Sequence, residues 1–185
     1  MLNDIIKDAK QRMHGAIQAL ETDFSHIRTG RANPALVESV KVMYYDVPTP
    51  LQQLASISIP EPRSILIKPF DPSTVKDIER GILASDLGLT PSNDGRTIRL
   101  NLPPLTEERR KDLVKLVKSR AEEARVSVRN IRRDLMRDLR DYENEKMISE
   151  DEKERGEKDL QKETDDFIEK VDKLCDAKEE EILEV

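Results

Sequence analysis

Arg125, Arg129, Arg132 and Arg133 lie close together in the sequence, separated by steps of four, three and one. On a helix, residues three and four apart are neighbours on one face. A guanidinium stays charged at any ordinary pH, and its planar fork of donors grips phosphate oxygens two at a time. Such a face could neutralise several phosphates along a nucleic-acid backbone. Arg125–Arg129 and Arg133–Arg137 are like-charged pairs at i,i+4, a spacing that costs stability in an isolated helix. A face that concentrates repulsion in this way invites a counter-charge from outside.

The net charge of −6 argues the other way when taken alone. Its distribution reverses the impression. Residues 109–140 hold twelve Lys/Arg against five Asp/Glu, whereas residues 141–185 hold eight against nineteen. At 3.6 residues per turn, Lys111, Lys115, Lys118, Arg125, Arg129, Arg132 and Arg133 fall within a sector of about 100° beside a separate apolar stripe. Glu122 is the acidic exception on that side. Two other readings of the basic face stay open: an acidic protein partner held by a coiled-coil scaffold, or a solvated face whose cations pair internally. The acidic block reads most simply as solvated surface, or as a face that repels a polyanion and so orients docking.

Other chemistry is poorly supplied. His14 and His26 have no Cys or second His close in sequence, so no metal site is expected. Cys175 is the only cysteine, cannot form an internal disulfide, and reads as a small buried hydrophobe in a reducing compartment. Aromatic residues make up 3% and Trp is absent, which leaves little for base stacking. No glycine-rich phosphate loop or nucleophile elbow appears. Neither a catalytic residue nor a cofactor is expected. Charged residues at Asp4, Lys7, Asp8, Lys10 and Arg12 leave no apolar leader at the start, and no apolar run approaches a membrane span. A soluble, cytoplasmic monomer with no membrane partner is the expectation.

The elements that must carry the arginines follow from proline and periodicity. All ten prolines lie between Pro34 and Pro104. Proline breaks helix interiors, so the chain divides into helical ends and a non-helical middle. Ile5, Ala9, Met13, Ile17, Leu20, Phe24 and Ile27 form one stripe, on a helix expected to stop at Thr29-Gly30. Thr106 is a good N-cap for a second helix bearing Leu113, Val117, Ala121, Ala124, Val128, Ile131, Leu135 and Leu139. Ser149 and Glu152 have capping-box spacing before a third helix with Leu160, Phe167, Val171 and Leu174.

Alternation at Val40/Val42, Ile57/Ile59, Ile65/Ile67 and Ile98/Leu100/Leu102 predicts strands in the middle. Asp46-Val47-Pro48 and Asn93-Asp94-Gly95 are turn signals, and Asp71-Pro72 opens a short helix. The expected class is α+β. A long antiparallel three-helix bundle (1–29 and 105–185) carries an inserted, β-rich α/β domain (30–104). Its hinges are expected near 29–31 and 102–106, at Gly30, Pro103 and Pro104.

Several segments together resemble the bacterial ribosome recycling factor family. They include Ile27-Arg-Thr-Gly-Arg-Ala-Asn-Pro34, Pro48-Thr-Pro-Leu-Gln-Gln-Leu-Ala55, Leu102-Pro-Pro-Leu-Thr-Glu-Glu-Arg-Arg109 and Ala124-Arg-Val-Ser-Val-Arg-Asn-Ile-Arg-Arg-Asp134. The similarity runs through essentially the whole chain, in order. The resemblance implies an L-shaped molecule that binds the large ribosomal subunit after termination. It implies that elongation factor G and GTP hydrolysis then split the subunits and release the messenger RNA, with no chemistry in the factor itself. It places the ribosomal-RNA contact on Arg129, Arg132 and Arg133, with Arg132 foremost, inside the stripe that includes Arg125. Arg28 and Arg31, flanking Gly30, are secondary candidates. The inserted domain would face the translocase.

Overall fold

A computed structural model describes residues 1–184; residue 185, the end of the second expected bundle segment, lies outside them. In chain order the elements are α1 (Leu2–Ser25), α2 (Ala35–Glu38), β1 (Lys41–Tyr44), β2 (Val47–Pro50), β3 (Ala55–Glu61), β4 (Ser64–Pro69), α3 (Val75–Ala84), β5 (Pro91–Asn93), β6 (Ile98–Asn101), α4 (Glu107–Asn144) and α5 (Glu150–Leu183). Two compact units emerge. One is Met1–Phe24 with Val114–Glu180, and the other is Ser25–Leu113 with the residues from Glu181 on. No helix among the described residues is long and apolar enough to cross a membrane.

The first unit is a bundle. Ala9, Met13, Val117, Ala121, Val128, Leu139, Leu160 and Val171 are buried, so each stripe meets the others as its period requires. Ion pairs set the directions. Arg125 meets Asp172 and Glu143 meets Lys153, so α4 and α5 are antiparallel. Leu2 lies beside Gly156 and Lys10 reaches Glu163, so α1 runs parallel to α5 and hence antiparallel to α4, which it meets at Arg12–Asp134. Gly156 permits close packing here: a Cβ on it would stand 3.0 Å from Leu139 Cδ2 and 3.1 Å from Leu2 Cδ2.

The helix ends have local causes. Arg109 N donates to Thr106 Oγ1 at 3.1 Å, the N-cap bond of α4. Ser149 N donates to Glu152 Oε2 and Glu152 N to Ser149 Oγ, a complete capping box for α5. Between them, Lys146 takes φ 57°, Lys146 N donates to Glu143 O and Met147 N to Tyr142 O, the Schellman arrangement. Helix α1 stops at Ser25, earlier than Thr29-Gly30, because Asn33 Nδ2 donates to the Ser25 carbonyl at 3.2 Å.

The second unit contains a four-stranded antiparallel sheet in the order β3-β4-β6-β5, and a separate β1-β2 ribbon. Ile57 pairs with Ile67, Ile67 with Ile98, and Ile65 with Leu100. Ile65, Ile67, Ile98 and Leu100 are fully buried with Val42, Leu51, Ile78 and Ile82. The β1-β2 turn lies at Tyr45-Asp46, one residue before the sequence signal, with φ 49° and 62°. That double positive φ is the two-residue hairpin geometry. Val47 and Pro48 belong to β2 instead of the turn. Pro48 and Pro50 lie opposite Met43 and Lys41, alternate positions whose nitrogens such a ribbon turns outward.

Candidate nucleic-acid interface

The bundle arginines differ in what they already hold. Arg125 is engaged most fully. Its Nε and Nη2 reach Asp172 Oδ1 at 2.8 and 2.7 Å, and its Nη1 donates to Glu122 at 3.1 Å. Its side chain is only 21% exposed. Arg129 shares the same Glu122, donating at 3.1 Å. These hydrogen bonds hold the Glu122 carboxyl below its ordinary pKa, so the acid on the basic side is ionised and consumed by two cations.

Further along α4 the arginines are freer. Arg132 is half-buried, and its Nη1 donates to Gln161 Oε1 of α5 at 2.9 Å. Gln161 is itself fixed, donating from Nε2 to Asp165 at 2.8 Å. Arg133 and Arg140 are exposed and make no ion pair or side-chain hydrogen bond among the described residues. Asp134 is taken up by Arg12 at 3.2 Å and, more loosely, by Arg137 at 3.9 Å.

Arg132, Arg133, Arg137 and Arg140 line one open groove of about 630 Å³, with Gln161 and Glu157 on its α5 wall. The groove carries four guanidinium groups beside Asp134 and Glu157. Such a surface suits a polyanion: several charges can be neutralised without first breaking a strong internal pair.

Arg132 and Arg133 are therefore brought together, Arg125 and Arg129 are joined through Glu122, and Arg28 and Arg31 lie in the other compact unit. There Arg28 donates to the Pro103 carbonyl, tying the two chain crossings together. Burial and then the neighbouring Arg109 charge lower the Arg28 pKa. Arg31 pairs with Glu184 at 2.6 Å. Gly30 has no positive φ, and a Cβ there would meet only Glu184 O at 3.9 Å. Arg140 and Gln161 are not among the residues expected from the sequence, and Arg137 enters there only as a like-charged neighbour of Arg133. Arg140 follows Arg133 by seven residues and so shares its helix face, which was a usable signal. Gln161 gave none, being one polar residue on an acidic helix.

The chain thus combines a helical bundle, an antiparallel sheet unit inserted in its sequence, and a bundle groove lined by four arginines. The family pattern of ribosome recycling factor matches residues 20–183. The chain is 52% identical to the ribosome-recycling factor of Syntrophobacter fumaroxidans and 54% identical to that of Halalkalibacterium halodurans, over 185 residues and the full length of both partners in each case. A solution structure of a ribosome recycling factor superposes with a TM-score of 0.78 at 45% identity, covering 100% of this chain and 98% of the other. A structure of the T. thermophilus ribosome recycling factor and the E. coli elongation factor G bound to the E. coli post-termination complex gives 0.68 at 46% identity, covering 99% of each chain. The chain belongs to the ribosome recycling factor family, and ribosome recycling is its function.

Proposed function

We propose that the groove on α4 docks on RNA of the large ribosomal subunit. With elongation factor G and GTP hydrolysis, the chain then promotes subunit splitting and release of messenger RNA. The observation that carries this reading is the state of the groove in the free chain. Arg133 and Arg140 are uncommitted among the described residues, and Arg132 is held by a neutral amide. The similar structure on a post-termination complex with elongation factor G supports the choice of partners.

The division of labour is mechanical, and the chain performs no covalent step. Residues 1–29 and 105–185 act as the gripping part, with α4 a rod of roughly 57 Å. Residues 30–104 act as the part that receives force from the GTPase, hinged at Gly30 and at Pro103-Pro104. The test is a light-scattering assay of subunit splitting with elongation factor G and GTP, run beside a binding assay. Gly30→Val is expected to slow splitting several-fold while leaving large-subunit binding nearly intact. Equal loss of both would remove the hinge from the mechanism.

A further inference from the structure

Glu122 is the acid inside the basic sector of α4, and both of its carboxylate oxygens are occupied. Oε2 accepts from Nη1 of Arg125 and Oε1 from Nη1 of Arg129, each at 3.1 Å. Arg125 is in turn fixed to Asp172 of α5 through Nε and Nη2. The four side chains make a chain of alternating sign, Asp172–Arg125–Glu122–Arg129. Its formal charges cancel, so the two arginines present no net charge while the chain is closed.

The two cations of that chain differ in freedom. Arg125 is gripped from both sides, whereas Arg129 is twice as exposed and has Glu122 as its single ion-pair partner among the described residues. The contact uses one terminal nitrogen of the fork, Nη1. Exposed pairs of this kind are weak and exchange readily. Arg129 also precedes Arg132 and Arg133 by three and four residues, which places it on their face of α4. A phosphate arriving at that face meets Arg129 with a carboxylate already on it. Glu122 stays at the edge of the site after Arg129 lets go, because Arg125 holds its other oxygen. Its charge then repels the phosphate that displaced it.

We infer that Glu122 is a release residue of the docking face: a built-in competitor that occupies Arg129 in the free chain, yields it to an RNA phosphate on docking, and takes it back as the RNA leaves. The Asp172–Arg125 anchor keeps this competitor within reach throughout. Glu122 thereby limits how long the chain stays bound, which suits a factor that acts on one ribosome after another. The inference rests on the RNA-docking reading above and adds to it the residue that sets the dissociation rate. A Glu122 that merely shaped Arg129 for docking would have the opposite effect, since its removal would loosen the complex.

The experiment measures association and dissociation of the radiolabelled full chain on purified large subunits at fixed salt. Glu122→Gln keeps the size of the side chain and removes its charge. It is expected to dissociate at least threefold more slowly than wild type, with association changed less. The slowing should vanish in an Arg129→Gln background. Glu123→Gln removes an equal charge about 100° further round α4, where Glu123 pairs with Arg120, and should not reproduce it. Unchanged or faster dissociation of Glu122→Gln would overturn the inference. Equal slowing by Glu123→Gln, or slowing that persists without Arg129, would overturn it too. Arg132→Ala separates this inference from the docking reading. Weaker binding of Arg132→Ala beside an unaltered Glu122→Gln would sink the release residue alone. A slowed Glu122→Gln beside an indifferent Arg132→Ala would support the release residue and count against the groove around Arg132.

Discussion

Arg132 on α4 donates to Gln161 on α5 at 2.9 Å, and a neutral acceptor is what holds it. The amide orients the guanidinium without cancelling its charge. Arg125 shows the opposite arrangement: Asp172 and Glu122 bind it on both sides, and its charge is spent inside the bundle.

Replacing that neutral partner with an acid tests the distinction. Gln161→Glu would give Arg132 an internal ion pair that RNA must break. Large-subunit affinity should fall by about 1 kcal/mol, roughly fivefold, with thermal stability unchanged or slightly raised. Quantitative pelleting at fixed salt measures it, and undiminished affinity would count against a charge kept available by Gln161.

Arg125→Ala should behave differently from Arg132→Ala. It removes the forked contact to Asp172 at a mostly buried position, so urea unfolding should show a loss of about 1–2 kcal/mol. RNA affinity should drop less than for Arg132→Ala. The reverse order would place Arg125 in the docking surface.

Three glycines predict an order of stability. A Cβ at Gly81 would stand 2.9 Å from the Lys41 carbonyl oxygen, which is backbone and cannot swing away. Gly81→Ala should therefore cost about 1–3 kcal/mol. Gly156→Ala meets only the ends of Leu139 and Leu2 side chains and should cost less. Gly15 lies within α1 with nothing within 4 Å, so Gly15→Ala should stabilise by up to about 1 kcal/mol. Chemical denaturation of the three variants reads the order directly, and a benign Gly81→Ala would refute the close approach of α3 to β1.

The chemistry of Cys175 should be slow. Burial, and then its contact with Glu179, pushes the thiol up to about 11. The thiolate is the reactive form, so native alkylation by iodoacetamide should be scarcely detectable at neutral pH and rise with pH toward that value. The sign for stability is the same: the protonated thiol suits the fold, so its contribution is present below the unfolded thiol's pKa and lost as pH rises through about 11. Rapid labelling of the native chain at neutral pH would contradict the burial.

Periodicity and caps made the helices legible. Thr106 and Ser149 stand where their spacing put them, and Val117, Val128 and Leu139 are buried as a single stripe requires. Local chemistry misled at the first helix, because the residue that ends it, Asn33, reaches back to Ser25 from beyond the helix. Pro48 looked like a turn residue, whereas an outward-facing strand position tolerates it. The arginine face was readable as a face. Which of its members were free was not, since Asp172 and Gln161 meet α4 only through the tertiary packing of α5.

Binding of the full chain to purified large subunits across a series of salt concentrations, with wild type beside Arg132→Ala, tests the docking groove most directly. Loss of about 1–3 kcal/mol, with the slope of log affinity against log salt reduced by about one, is the expected result. The same affinity and the same slope for both proteins would contradict docking through Arg132.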